Sequence, residues 1–174
     1  VLVPLHHPLA SVRDSFNAVF VEGDAVGELM FYGRGAGGDP TASAVLGDLI
    51  DASVNLRRGA HASIGRLAPA RLRPAEESSS AQYLSLVAVD RPGVLAAIAS
   101  VLGDNGVSIA SMSQSGPDSE LGGALAADEA RIDFITHRTS RRDLDTTLAI
   151  LRSLDAVRRV GSVLRVLSDE EDET

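Results

Sequence analysis

The chain has 174 residues, enough for one medium domain or for a small domain with a piece of another. Its formal charge is −8 and no stretch gathers positive charge, so nucleic acid is not an expected partner. It contains no cysteine, which excludes disulfides, thiolate chemistry and Cys-based zinc sites, and no apolar run reaches the ~20 residues of a bilayer span. The opening "VLVPLHHPLA" has neither a basic flank nor a long apolar run, so it does not read as a signal peptide, and a cytoplasmic location is the expectation. Aromatic residues are only 3% of the chain, so a core must come from Val, Leu, Ile and Ala. All 16 basic residues are arginine.

His6 and His7 precede Pro8, and neighbouring strand side chains point to opposite faces, so no metal site is expected there. Residues 16–22, "FNAVFVE", read as a strand, and "GDAVGELMFYG" follows as its hairpin partner after the Gly23-Asp24 turn signal. Gly33, Gly35 and Gly38 then satisfy G-x-G-x-x-G. From Thr41 the period becomes helical through Ala44, Val45, Leu49, Ala52 and Leu56, with Asp39-Pro40-Thr41 as the start. The order is β-β-α, and it stops there. A complete dinucleotide unit needs a second parallel strand ending in an acid, whereas Asp51 falls inside the helical stretch. A glycine-rich turn feeding a helix can offer free amides to an anion, or it can be a tight turn against a neighbouring element. Residues 65–81, with Pro69, Pro74 and Ser78-Ser79-Ser80, read as a linker. The serines have no placed base, and His61 and His137 read as structural or solvated.

The second half is regular. Residues 83–90, "YLSLVAVD", form a strand. Pro92 opens a helix whose Val94, Leu95, Ile98, Val101 and Leu102 make one apolar face, ending near Gly103 and Gly106. Residues 107–115 and 130–139 are strands joined by a polar, Gly-rich loop. Ser140-Arg-Arg-Asp143 has the capping-box form and opens a helix with Leu144, Leu148, Leu151 and Leu154 inward. Residues 157–167 make the last strand, and 168–174 an acidic tail. The predicted fold class is α/β (α+β): a ferredoxin-like βαββαβ module with two helices on one sheet face, preceded by an incomplete β-β-α piece. Asp90 can accept from a ligand ammonium or cap the helix. Gly93 allows close approach, and Asn105 can bind a ligand or form the turn.

The stretch "VAVDRPGVLAAIASVLGDNGVSIASMSQ", followed by "DFITH" and the last helix and strand, resembles the ACT family of small-molecule regulatory modules over residues 82–167. The resemblance implies edge-to-edge pairing into a homo-oligomer. It also implies an amino-acid effector at the first strand–helix loop, with Asp90, Gly93, Val94, Leu95 and Asn105 as candidate effector-binding residues. Residues 1–64 resemble the end of the catalytic region of homoserine dehydrogenase, through Asn17-Ala-Val, Gly27-Glu-Leu, Gly35-Ala36-Gly37 and Pro40-Thr-Ala. That resemblance implies that Gly35, Ala36 and Gly37 approach a nicotinamide cofactor, NADP or NAD. It further implies a parent enzyme reducing L-aspartate 4-semialdehyde to L-homoserine, with threonine as the expected effector. The family moves the proton with lysine, and this chain has none, so no catalytic residue is assigned and the chain alone is expected to be inactive. The alternative is a free-standing, non-catalytic amino-acid-binding module.

Overall fold

The computed structural model describes residues 1–59, 69, 72, 74, 78–119 and 125–167. Among them no helix is long and apolar enough to cross a membrane. The chain divides into two compact units, one formed by Leu5–Arg71 and the other by Val1–Pro4 with Leu72–Thr174. The predicted linker (65–81) and the acidic tail fall largely or wholly outside the described residues.

In the first unit a short 3-10 turn, Pro8–Ser11, is capped by His7, whose Nδ1 accepts from the Leu9 amide at 3.1 Å. Strands β1 (Phe16–Gly23) and β2 (Gly27–Arg34) form the predicted antiparallel hairpin, in register from Phe16 opposite Arg34 to Gly23 opposite Gly27. Helix α1 (Gly38–Arg58) begins three residues before the apolar period does, because Gly37 serves as its N-cap. It ends on left-handed Gly59, whose amide reaches the carbonyls of Asn55 and Leu56. No residue of α1 is buried; Val45, Leu46, Leu49 and Ile50 are all more than half exposed. On the hairpin Val19, Phe31 and Tyr32 are exposed as well.

The second unit is built on β3 (Ser79–Val89), with α2 (Val94–Asp104), β4 (Ile109–Ser115), β5 (Glu129–Thr136), β6 (Thr139–Ser140), α3 (Arg141–Ser153) and β7 (Val157–Val166) following in order. All pairings among these strands are antiparallel: β4 with β5, β5 with β3, and β3 with both β6 and β7. This is the predicted βαββαβ order with one two-residue strand added. Leu84, Leu86 and Ala88 of β3 share a face with Ile132 and Phe134 of β5. They close a core with Ile98 and Leu102 of α2 and Leu144, Leu148 and Leu151 of α3. Each such large side chain contributes about 1.5–3 kcal/mol by leaving water.

Two boundaries differ from the sequence reading. The serine run is not wholly linker, since Ser79 and Ser80 open β3 opposite Ser140 and Thr139. Hydrogen bonds to backbone carbonyls hold this end: the Arg141 amide donates to the Ser78 carbonyl (3.1 Å) and the Arg138 side chain, through Nη2, to the Ser79 carbonyl (3.2 Å). Polar residues suffice because this end extends past the apolar core. Val1–Pro4, read as part of the first segment, instead joins the second unit. Leu2 bridges in parallel to Val166, its amide donating to the Arg165 carbonyl (2.7 Å) while Leu167 donates to Leu2 (2.9 Å).

The N-cap half of the predicted capping box forms, while the Asp143 carboxylate takes the Ser140 hydroxyl rather than its amide. Ser140 Oγ accepts from the Asp143 amide (3.1 Å) and donates to the Asp143 carboxylate (2.7 Å). Ser140→Ala should therefore cost about 1 kcal/mol in urea unfolding, while Ser140→Thr should restore most of it. On the sheet face away from the helices, Tyr83 donates its hydroxyl to Asp133 Oδ1 at 2.8 Å. Burial, and then this hydrogen bond, raise the phenol above its ordinary value of 10.0. The folded value lies above the unfolded one, so the stabilisation is complete below pH ~10 and is lost as pH rises through the folded value. Tyr83→Phe should cost about 1 kcal/mol at neutral pH, with the gap to wild type closing in strongly alkaline urea titrations.

Candidate functional site

The glycine-rich turn lies within the first unit, between β2 and α1. Gly35 donates its amide to the Ser15 carbonyl at 2.9 Å. A Cβ at Gly35 would collide with the Asn17 side-chain amide, so the close approach of β1 dictates glycine here. Gly37 has φ 134°, a conformation side chains rarely adopt, and its carbonyl accepts from Thr41 to start the helix. The turn borders an open cleft of about 570 Å³ lined by Arg34, Ala36, Gly37, Gly38, Asp39 and Pro40. Arg34 stands over the Phe16 ring at 5.1 Å, and Phe16 stacks on Tyr32 at 4.8 Å with nearly parallel planes. The stack holds a guanidinium beside the first turn of α1, where helix amides lack intrahelical acceptors. Asp39 in that turn offsets part of the positive field. The arrangement can accept one oxyanion at close range. The Arg34–Phe16–Tyr32 stack was missed in the sequence because its members are paired only once the hairpin register is known.

The second candidate is the loop from Asp90 to Leu95. Asp90 is exposed and donates its amide to the Asp128 carbonyl at 2.7 Å. Its carboxylate does not cap α2, whose N-cap is left-handed Gly93 (φ 88°) with no side-chain hydrogen bond. Asp90 Oδ1 instead accepts from Gln114 Nε2 of β4 at 3.2 Å. Val94 and Leu95 are half-buried against the core and anchor the loop, while Arg91, Pro92 and Gly93 are exposed. Asn105 lies at the other end of α2, about 16 Å along the axis at 1.5 Å per residue. There its side chain donates to the Val101 carbonyl at 2.7 Å. Within one chain the fold gathers Asp90, Gly93, Val94 and Leu95 but leaves Asn105 apart as a helix-end residue. Gln114 joins the group, and no local pattern in "SIASMSQS" marks it.

Comparison with known proteins follows this division. Residues 1–50 match the homoserine dehydrogenase family and residues 82–156 the ACT domain. The homoserine dehydrogenase of Corynebacterium glutamicum is 42% identical over 170 residues, covering 97% of this chain and 36% of that protein. That of Mycobacterium tuberculosis is 43% identical over 166 residues, covering 95% and 37%. The crystal structure of a homoserine dehydrogenase from Thiobacillus denitrificans superposes with a TM-score of 0.79 at 34% identity, over 95% of this chain and 37% of that one. The chain belongs to the homoserine dehydrogenase family. It corresponds to the C-terminal part of these enzymes, ACT domain included, and spans a little over a third of the length of the curated relatives it matches.

The Asp90–Gln114 bond is exposed, so neither side chain owes its place to the core. Asp90→Ala and Gln114→Ala should each change urea-unfolding stability by less than ~0.5 kcal/mol. A loss well above 1 kcal/mol would make the pair structural.

Proposed function

We propose that this chain forms the cofactor-facing edge and the regulatory module of an enzyme that reduces L-aspartate 4-semialdehyde to L-homoserine. Homology to homoserine dehydrogenases over 95–97% of the chain, through both units, carries this reading. A nicotinamide cofactor, NADPH or NADH, would supply the hydride when bound. Gly35 and Gly37 keep the turn free of side chains, and Arg34 with the first amides of α1 would hold a negatively charged part of the dinucleotide. The proton that accompanies the hydride comes from a residue outside this chain, since the family's lysine has no counterpart here.

The ACT domain binds an amino acid, threonine, at the Asp90–Leu95 loop. Asp90 receives the ligand ammonium in exchange for Gln114, and exposed Gly93 admits the ligand to the backbone. Edge strand β4 pairs with its counterpart in a second copy. Effector binding is coupled to the catalytic body through the chain segments joining the two units.

Aspartate-semialdehyde-dependent NADPH oxidation should be present in the full-length protein that carries this chain and absent from the 174 residues alone. A full-length protein without that activity would overturn the reading. Gly35→Ala in the full-length protein should raise KM for the cofactor about tenfold or more, because the Asn17 clash displaces the turn. Calorimetric titration with threonine should give saturable heat, and Asp90→Ala should weaken it about tenfold, or ~1.4 kcal/mol. An unchanged dissociation constant would remove Asp90 from the effector site.

A further inference from the structure

At the end of β3 opposite the Asp90 loop lies a second polar pocket, of about 120 Å³, lined by Ser78, Ser80, Gln82, Arg141, Val163 and Arg165. Some 10 residues of extended strand separate it from that loop, about 33 Å at ~3.3 Å per residue. The register explains its walls. Gln82 faces Arg165 across β3 and β7, and Leu84 faces Val163, so these residues continue the helix-covered side of the sheet past the apolar core. Arg141, the first residue of α3, closes the opening.

The lining is built to present donors. Gln82 is 9% exposed, and its Nε2 is held by Ser80 Oγ at 2.8 Å, which fixes the amide while leaving the Ser80 hydroxyl proton free to turn inward. Arg141 Nε is held by Asp145 at 2.9 Å, which leaves its terminal nitrogens as donors. Arg165 has no salt bridge to any described residue. Opposite Ser80 on the same side of the sheet, Thr139 is 5% exposed and its hydroxyl has no hydrogen-bond partner among the described residues. Arg138 reaches the same strand end through the Ser79 carbonyl. Among the described residues, the nearby carboxylates of Asp145 and Asp143 are already engaged, by Arg141 and by Ser140. The pocket thus sets the guanidiniums of Arg141 and Arg165 beside the buried Gln82 amide and the Ser80 hydroxyl. At about 120 Å³ the pocket admits a small polar group.

We propose that this pocket binds a small oxyanion, a phosphate or carboxylate group, gripped by Arg165 and Arg141 with Ser80 and Gln82 orienting it. Two guanidiniums and a hydroxyl match the planar or tetrahedral oxygens of such a group, as an apolar or cationic ligand would not. The site is separate from the amino-acid loop and stands whether or not that assignment holds.

The test uses the 174-residue chain, titrated at constant ionic strength with inorganic phosphate, with acetate and with chloride. Binding is followed by calorimetry and by amide NMR shifts. Phosphate or acetate should saturate, with shifts confined to residues 78–82, 139–141 and 163–165, and whichever binds more tightly names the source. Arg165→Gln should weaken binding at least tenfold and Arg141→Gln several-fold, with Asp90→Ala unchanged. Shifts that do not saturate, that match those of chloride, or that centre elsewhere would overturn the proposal. So would full retention of affinity in a folded Arg165→Gln chain. Should that variant fail to fold, the wild-type titration decides alone.

Discussion

Strand β3 bears the organisation of the second unit, because it is hydrogen-bonded along both edges and buried on both faces. Its neighbours β5 and β7 satisfy its backbone, and Leu84, Leu86 and Ala88 anchor the two helices. Both candidate sites of this unit are placed relative to it. The Asp90 loop leaves from its C-terminal end and the arginine-lined pocket surrounds its N-terminal end. A rigid strand between two polar ends can hold both in fixed geometry while the loops around them adapt.

The first unit follows a different logic. Helix stability in proteins comes mostly from burying an amphipathic face, and α1 buries none of its own. Its exposed Val45, Leu46, Leu49 and Ile50, with Val19 and Phe31 on the hairpin, form the kind of apolar surface that ordinarily meets another body. This accords with a chain matching a little over a third of its relatives' length. The local geometry of the glycine turn is nonetheless complete, because it is set by short-range contacts: Asn17 against Gly35, and Gly37 beneath Pro40.

Much of this architecture was legible in the sequence where a single physical signal dominated. The period of Val94, Leu95, Ile98 and Leu102, the Ser140–Asp143 box and the Gly23-Asp24 turn each specify a local structure with little tertiary competition. What escaped was non-local or lacked an apolar pattern. Ser79 and Ser80 look like linker until Ser140 and Thr139 are seen opposite them. Asp90 reads as a cap before it reads as a ligand group, until Gln114 takes its carboxylate and Gly93 takes the cap. Arg165 and Gln82 meet only through strand register.

The bridge between Leu2 and Val166 has a kinetic meaning. It ties positions near opposite ends of the chain through a parallel contact of two backbone hydrogen bonds, worth only about 0.5–1.5 kcal/mol each. The entropy of closing so large a ring must be met before those bonds can form, so this seam zips last and frays first. Tension applied to the chain just after Pro4 is therefore delivered to the edge of the second unit's sheet at β7, and only afterwards to its core.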